Sequence, residues 1–383
     1  MILSDKFYRI ILGLSGLLLG VIFIMLFIGF RTEVGILVVM FFSFLLIGIW
    51  RFKTLKSFAF TIWVIAAATL AMIYPQYITE ISGYNTEGLI VPLIQIIMFG
   101  MGTAMSIQDF AGVIKMPKGV IIGLACQFTI MPILGISLAL SFGFPAEIAA
   151  GVVLIGSSPS GVASNVMAFI AKGNLALSVT LTAFATLMAP IMTPFLMQIF
   201  AGQMVPIEFF SMMVSIFNMI ILPIIAGLIF NRVFRGKAKW LHDAMPVVAM
   251  AANVLIIAVI VAAGRDSLLT IGVLLLVAAV IHNAAGYTLG YWGCRLFKMN
   301  KTDSRTIAFE VGMQNGGMAA GIAAEMGRAA TMGLFPAIFG TWMDISGSVL
   351  ANWWRERAPV EEAEYAEADE LDLVAENKSE IRY

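Results

Sequence analysis

The chain has 383 residues, is 60% hydrophobic and only 12% charged, with 23 basic and 23 acidic residues. Soluble globular proteins carry about 25% charged residues, so this composition, with a mean hydropathy of +0.96, excludes a soluble domain and indicates a polytopic helical membrane protein. The zero net charge identifies no partner, and the two cysteines, Cys126 and Cys294, both inside apolar runs, form neither a disulfide framework nor a metal-binding spacing.

Taken in order, apolar segments fall at about 9–30, 34–50, 58–75, 88–105, 118–141, 146–171, 174–200, 207–231, 244–263, 267–296, 303–326 and 329–352. The first lacks a small-residue cleavage site and runs directly into the second, so it is retained rather than removed as a signal peptide. Twelve crossings make a testable pattern, because cytoplasmic loops of membrane proteins are enriched in Lys and Arg. Lys6 and Arg9 precede the first segment. Arg51, Lys53 and Lys56 follow the second, Lys115 and Lys118 follow the fourth, and Lys172 follows the sixth. Arg232, Arg235, Lys237 and Lys239 follow the eighth, and Arg295, Lys298, Lys301 and Arg305 follow the tenth. All then lie on one side. The opposite loops carry only Arg31, Arg265 and Arg328, and the loop from Pro75 to Glu87 has Glu80 and Glu87 with no basic residue. This predicts an integral multi-pass plasma (inner) membrane protein with both termini cytoplasmic. Trp240 and the pair Trp353-Trp354 stand beside basic residues, where interfacial anchors belong. From Pro359 the chain is acidic and polar, with too little apolar surface to fold alone.

Two segments are interrupted. One contains Gly156-Ser157-Ser158-Pro159-Ser160-Gly161-Val162-Ala163-Ser164-Asn165, the other Glu310-Val311-Gly312-Met313-Gln314-Asn315-Gly316-Gly317. A carboxylate at the bilayer centre costs about 3 kcal/mol or more, and intramembrane ionisable groups mark functional sites by default. Glu310, Met313 and Gln314 stand at i, i+3 and i+4, which predicts one shared helical face before a break at Asn315. With the first two segments set aside, the breaks fall at the fourth position of each half of five. An odd number of helices per half forces opposite orientations, and matching breaks in inverted repeats point to a transporter's midplane site. The expected organisation is an extra transmembrane hairpin at 1–52, a transporter unit at 53–354 with repeats at about 55–201 and 205–354, and an acidic tail at 355–383. Half-helix N-termini suit an anionic substrate, whereas half-helix C-termini and unwound carbonyls suit Na⁺ or H⁺. Ser164 and Asn165 offer oxygens at the first break, and Ser178 and Thr182 lie at i and i+4 on the next segment. With Glu310 they form a hard oxygen donor set suited to Na⁺. Ser160, Gly161, Asn315 and Gly316 are the candidate substrate contacts, and Gln127 is a further polar residue deep in an apolar run.

At these residues the chain resembles the bile acid:sodium symporter family. The resemblance is carried by Pro159-Ser160-Gly161-Val162-Ala163-Ser164-Asn165, by Gly173-Asn174-Leu175-Ala176-Leu177-Ser178-Val179-Thr180-Leu181-Thr182 and by Phe309-Glu310-Val311-Gly312-Met313-Gln314-Asn315, and it covers roughly residues 55 to 353. It implies an all-α fold of ten helices in two inverted repeats (5+5), with two crossing broken helices in a core domain and a panel domain that moves against it. The two N-terminal segments are additional to that fold. It also implies two Na⁺ ions. One sodium site would use Ser164, Asn165, Ser178, Thr182 and Glu310. The second would use Gln127, Glu310, Val311, Met313 and Gln314, with the valine and methionine acting through backbone carbonyls. Substrates of the family are organic anions, bile acids or smaller carboxylates, so a small organic anion and membrane lipid are the expected partners and nucleic acid is not. The chain departs from the family in its hydrophobic hairpin, its acidic tail and a first break richer in serine.

Other functions draw on the same residues. Proton coupling through Glu310 and an uncoupled facilitator are the nearest alternatives, though a facilitator has no need of Glu310 with four flanking oxygens. An intramembrane hydrolase would draw on Ser157, Ser158, Ser160, His282 and Asp344, but no nucleophile–base spacing is recognisable among them. An enzyme is therefore not expected, and His282-Asn283 reads as a helix-packing pair.

Overall fold

Lipid offers no hydrogen bonds to a backbone, so apolar segments of this length satisfy their own N–H and C=O groups as helices. A computed structural model describes residues 5–29, 34–52, 59–106, 115–234 and 239–357. Arg31, Lys53, Lys56, Arg235, Lys237 and the acidic tail from Pro359 lie outside the described residues. The helices are α1 (Asp5–Ile28), α2 (Gly35–Ile49), α3 (Ala59–Ile73), α4 (Ile90–Ala104), α5 (Pro117–Phe142), α6 (Ala146–Gly156), α7 (Ala163–Ile170) and α8 (Leu175–Ala201). They continue as α9 (Phe209–Ile216), α10 (Leu222–Phe234), α11 (Lys239–Ala263), α12 (Arg265–Leu296), α13 (Lys301–Gly312), α14 (Gly316–Glu325) and α15 (Leu334–Arg355). A π-helical turn at Phe217–Ile221 joins α9 to α10.

Among the described residues, eight helical stretches are long and apolar enough to cross a membrane. The sequence reading gives twelve segments. The difference lies in two helices of 15 residues, α2 and α3, and in the two interrupted segments, α6–α7 and α13–α14. At 1.5 Å per residue a 15-residue helix spans about 22 Å, less than a hydrocarbon core of about 30 Å. Between α3 and α4 the chain forms a small antiparallel hairpin, Glu80–Ile81 with Tyr84–Asn85, that the hydropathy pattern does not register. Its turn places Ser82 and Gly83 at φ 53° and 82°, as a tight hairpin requires.

The helices pack in two groups. α11 packs against α3 and α4, α4 packs against α10, and α2 packs on α3 with α1 beside it. The second group is α5–α8 with α12–α15. In the first group, a Cβ on Gly102 would stand 2.3 Å from the Ile224 carbonyl oxygen, and one on Gly227 would stand 2.3 Å from that of Phe99. Only glycine lets the α4 and α10 backbones approach so closely.

The loop charges are not all free in loops. Arg305 is buried in α13, where its guanidinium donates to the carbonyls of Ala171 (3.3 Å) and Trp354 (3.2 Å) and lies 5.5 Å from the Trp354 ring centre. It therefore ties off the ends of α7 and α15. On the side assigned the sparse loops, Arg328 pairs with Glu147, and the Arg265 Nε donates to the Met72 carbonyl at 2.8 Å.

Candidate functional site

Two helix breaks inside a membrane leave backbone groups that lipid cannot satisfy. Here each break satisfies the other. The chain from Pro159 to Gly161 runs antiparallel to that from Met313 to Asn315, with Ser160 opposite Gln314. Gly161 N donates to Met313 O at 3.1 Å, and Asn315 N donates to Pro159 O at 2.8 Å. A Cβ at Gly161 would stand 2.9 Å from Gln314 O, so this crossing requires glycine.

Three further carbonyls at the breaks are taken by side chains. Thr193 on α8 donates to Ser157 O at 2.8 Å, and the Gln127 amide on α5 donates to Ser158 O at 2.9 Å. At the end of α13, Asn283 on α12 donates to Gly312 O at 2.9 Å. His282 Nε2 lies 3.0 Å from Met131 O, so the His282-Asn283 pair holds helices together. Asn174, Asn300 and Asn315 cap α8, α13 and α14 through their side-chain oxygens.

Four hydroxyls converge on Glu310, which is 2% exposed. Ser164 and Ser178 donate to Oε1, each at 2.6 Å. Ser160 and Thr182 donate to Oε2 at 2.7 and 2.9 Å. Asn165 Oδ1 lies 2.8 Å from the Ser178 hydroxyl and 3.1 Å from that of Thr182. Ser164 Oγ also lies 2.7 Å from Gly161 O and 3.5 Å from Thr182 Oγ1. Each hydroxyl carries one proton, yet Ser164, Ser178 and Thr182 each face more than one acceptor. The cluster thus holds more oxygen lone pairs than protons. No ion pair among the described residues involves Glu310. A cation with a preference for oxygen fits this excess.

The second expected donor set is arranged differently. The Gln127 amide nitrogen lies 2.7 Å from Gln314 Oε1, and the Gln314 amide nitrogen lies 2.5 Å from Val311 O and 3.3 Å from Gln127 Oε1. Met313 O already accepts from Gly161 N. Gln127, Val311, Met313 and Gln314 therefore meet at the crossing, but hydrogen bonds within the protein occupy part of the lone-pair capacity of their oxygens. The expected helical face of Glu310, Met313 and Gln314 is not formed. α13 ends at Gly312, and Met313 is extended at φ −110°, ψ 105°. The reason is tertiary: Gly312 abuts the Tyr287 ring, where a Cβ would stand 2.2 Å away, and Gln314 pairs with Ser160.

Beside the crossing, between the two helix groups, lies a cavity of about 470 Å³. Gly161, Asn315 and Gly316 of the candidate substrate set line it, whereas Ser160 points its hydroxyl to Glu310 instead. Phe60 and Thr61 of α3 and Asn253 of α11 close it from the other group.

The sodium bile acid symporter family model matches residues 91–271. The chain is 42% identical over 305 residues to YocS of Bacillus subtilis (strain 168), an uncharacterised sodium-dependent transporter, covering 79% of this chain and 93% of that protein. The chain belongs to the sodium bile acid symporter family. It is 31% identical to the "probable sodium/metabolite cotransporter BASS1, chloroplastic" of Arabidopsis thaliana, over 79% of this chain and 75% of that one. To the corresponding BASS2 of Oryza sativa subsp. japonica it is 30% identical, over 78% and 70%. This symporter is a sodium-coupled organic-anion secondary transporter in the membrane, not an enzyme. Among the polar residues of the symporter's cavity, Thr61, Asn253 and Ser348 have no role in the sequence reading, and Asp344 enters it only as a hydrolase candidate. The signal was present: the default that singles out Glu310 as an intramembrane carboxylate applies equally to Asp344.

Proposed function

We propose that the chain couples uptake of an organic anion, bile-acid-like or a smaller carboxylate, to two Na⁺ ions by alternating access. In this reading the chain crosses the plasma membrane twelve times with both termini cytoplasmic, as a hairpin followed by two inverted repeats of five. The first Na⁺ is held by Ser164, Asn165, Ser178, Thr182 and Glu310, and the second by Gln127, Glu310, Val311, Met313 and Gln314. The observation that carries the reading is a buried carboxylate at the second break, without an ion-pair partner among the described residues, ringed by four hydroxyls from the first break and from α8. Removing a carboxylate from water is costly unless an opposite charge accompanies it, and a bound cation supplies that charge. The second site requires the Gln127 and Gln314 amides to turn their oxygens to the ion, a rotation that exchanges O for N about one bond.

The substrate's place is supported by the cavity. The N-terminal ends of α7 and α14 both open into it through Val162, Ala163, Gly316 and Gly317. Helix N-termini carry partial positive charge and free N–H groups, which favour an anion. Occupied cation sites behind the crossing add to that field, so sodium and anion favour each other's binding. The two helix groups, meeting at this cavity, are the bodies that rock to open it to either side. The test is thermal stability of the purified protein in NaCl and in KCl at equal ionic strength. Stabilisation by Na⁺ alone is expected, and coincident melting curves would refute the sodium assignment.

A further inference from the structure

A cavity for a simple carboxylate anion has no use for a carboxylate of its own, yet Asp344 lines this one. The residue sits within α15, partly buried, and lines both the 470 Å³ cavity and an adjoining recess of about 40 Å³. No side-chain hydrogen bond or ion pair joins it to another described residue. Its position faces the start of α14. Gly316 packs on α15 at Gly340, one turn before Asp344, with a Cβ of Gly316 standing 3.4 Å from Gly340 Cα. Gly316 and Gly317 line the same two spaces as Asp344. The backbone N–H groups of Val162, Ala163 and Gly317 donate to no described group. The cavity therefore presents unpaired donors at its helix-end wall and one unpaired carboxylate at its α15 wall.

We propose that Asp344 makes this symporter select substrates that carry a cationic nitrogen as well as a carboxylate, in the manner of amino carboxylates or betaines. The inference rests on the reading of the cavity as the substrate site. The carboxylate end meets the N-termini of α7 and α14, and the cationic end meets Asp344. An inorganic cation is a poorer occupant, because hard cations take a shell of oxygen ligands. Around Asp344 the recess supplies the Asn253 side chain, and beyond it the apolar chains of Ile256, Ile257, Ile260 and Met343. One carboxylate set among apolar side chains suits an alkylated nitrogen, which has apolar surface and a single charge. An intramembrane carboxylate without a protein partner is expected to find that partner in cargo.

The test uses pairs of one shape and different charge. Glycine betaine is compared with 3,3-dimethylbutanoate, and 4-aminobutanoate with pentanoate, by thermal shift and calorimetry on the full chain in saturating NaCl. Wild type is expected to bind at least one zwitterion tenfold or more tightly than its uncharged-end partner. Asp344→Asn, which keeps the side chain's size, should erase or reverse that preference while leaving Na⁺ stabilisation intact. Equal binding within a pair, tighter binding of the simple carboxylates, or no binding by any of the four overturns the proposal. So does a preference that survives in Asp344→Asn. Met250→Trp, which fills the cavity from α11, separates this failure from failure of the site itself. If simple carboxylates bind and Met250→Trp abolishes that binding, the cavity is the site and only the selectivity role falls. Binding indifferent to Met250→Trp removes both.

Discussion

Glu310→Gln isolates the charge from the shape. Gln fills the same volume, and its amide oxygen still accepts from hydroxyls placed 2.6–2.9 Å from the native carboxylate. What disappears is the negative charge shared by both proposed ions. A cation about 4 Å from a carboxylate gains about 4 kcal/mol at an effective dielectric of about 20. At about 1.4 kcal/mol per tenfold, each site should weaken by about a thousandfold. Ligand present at a hundredfold excess over Kd stabilises by about 2.7 kcal/mol, and a thousandfold weaker site reduces that to about 0.1 kcal/mol or less. Without sodium the variant should be at least as stable as wild type, because a buried charge without its counter-ion is costly. The assay is unfolding of purified protein across a NaCl series, with choline chloride holding ionic strength constant. Half-maximal stabilisation of Glu310→Gln within about threefold of wild type would refute the reasoning, as would a collapse of the sodium-free protein.

Thr182→Val removes a hydroxyl 2.9 Å from Glu310. It should weaken sodium binding at the first site by roughly ten- to a hundredfold, the equivalent of about 1.5–3 kcal/mol for a contact to a charged group, measured by ²²Na⁺ binding. Gln127→Leu leaves Ser158 O and the Gln314 amide without their partner. It should cost about 1–3 kcal/mol of stability and one of two bound Na⁺ per chain, and two ions still bound would count against the second site. Gly161→Ala places a methyl 2.9 Å from Gln314 O. It should destabilise by about 1–3 kcal/mol through forced separation of the two breaks, and an unchanged melting temperature would contradict the tight crossing. Deleting residues 1–52 should lower stability or assembly more than transport rate, since α1 and α2 contact the α3 side of the molecule rather than the breaks. Loss of uptake in a truncated protein that remains folded and membrane-inserted would show otherwise.

The broken helices were legible because glycine, proline, serine and asparagine cluster in otherwise apolar runs. The hydroxyls that meet Glu310 from α7 and α8 were legible through local spacing and family motifs, as Ser178 and Thr182 at i, i+4 on α8 illustrate. What spacing cannot carry is contact across the chain. Ser160 meets Glu310 over a separation of 150 residues, so local spacing places its hydroxyl with the substrate rather than with the carboxylate. Local spacing puts the end of α13 too late because propensity carries no information about the Tyr287 ring against Gly312 or the Asn283 amide on its carbonyl. Arg305 read as a loop charge because its acceptors, the carbonyls of Ala171 and Trp354, belong to distant segments. The grouping of α3, α4, α10 and α11 was likewise invisible, since hydropathy gives the number of segments and not their neighbours.

Sodium coupling is tested most directly by uptake into proteoliposomes. The solute is the one that most raises the melting temperature in NaCl. An inward Na⁺ gradient is imposed with K⁺ and valinomycin setting the potential, and one elementary charge gains about 2.3 kcal/mol per 100 mV. With two Na⁺ per substrate of zero or single negative charge, accumulation should require Na⁺ and should accelerate when the interior is negative. It should vanish in Glu310→Gln. Accumulation driven by an inward pH gradient in the absence of Na⁺ would contradict the account and make Glu310 a proton carrier.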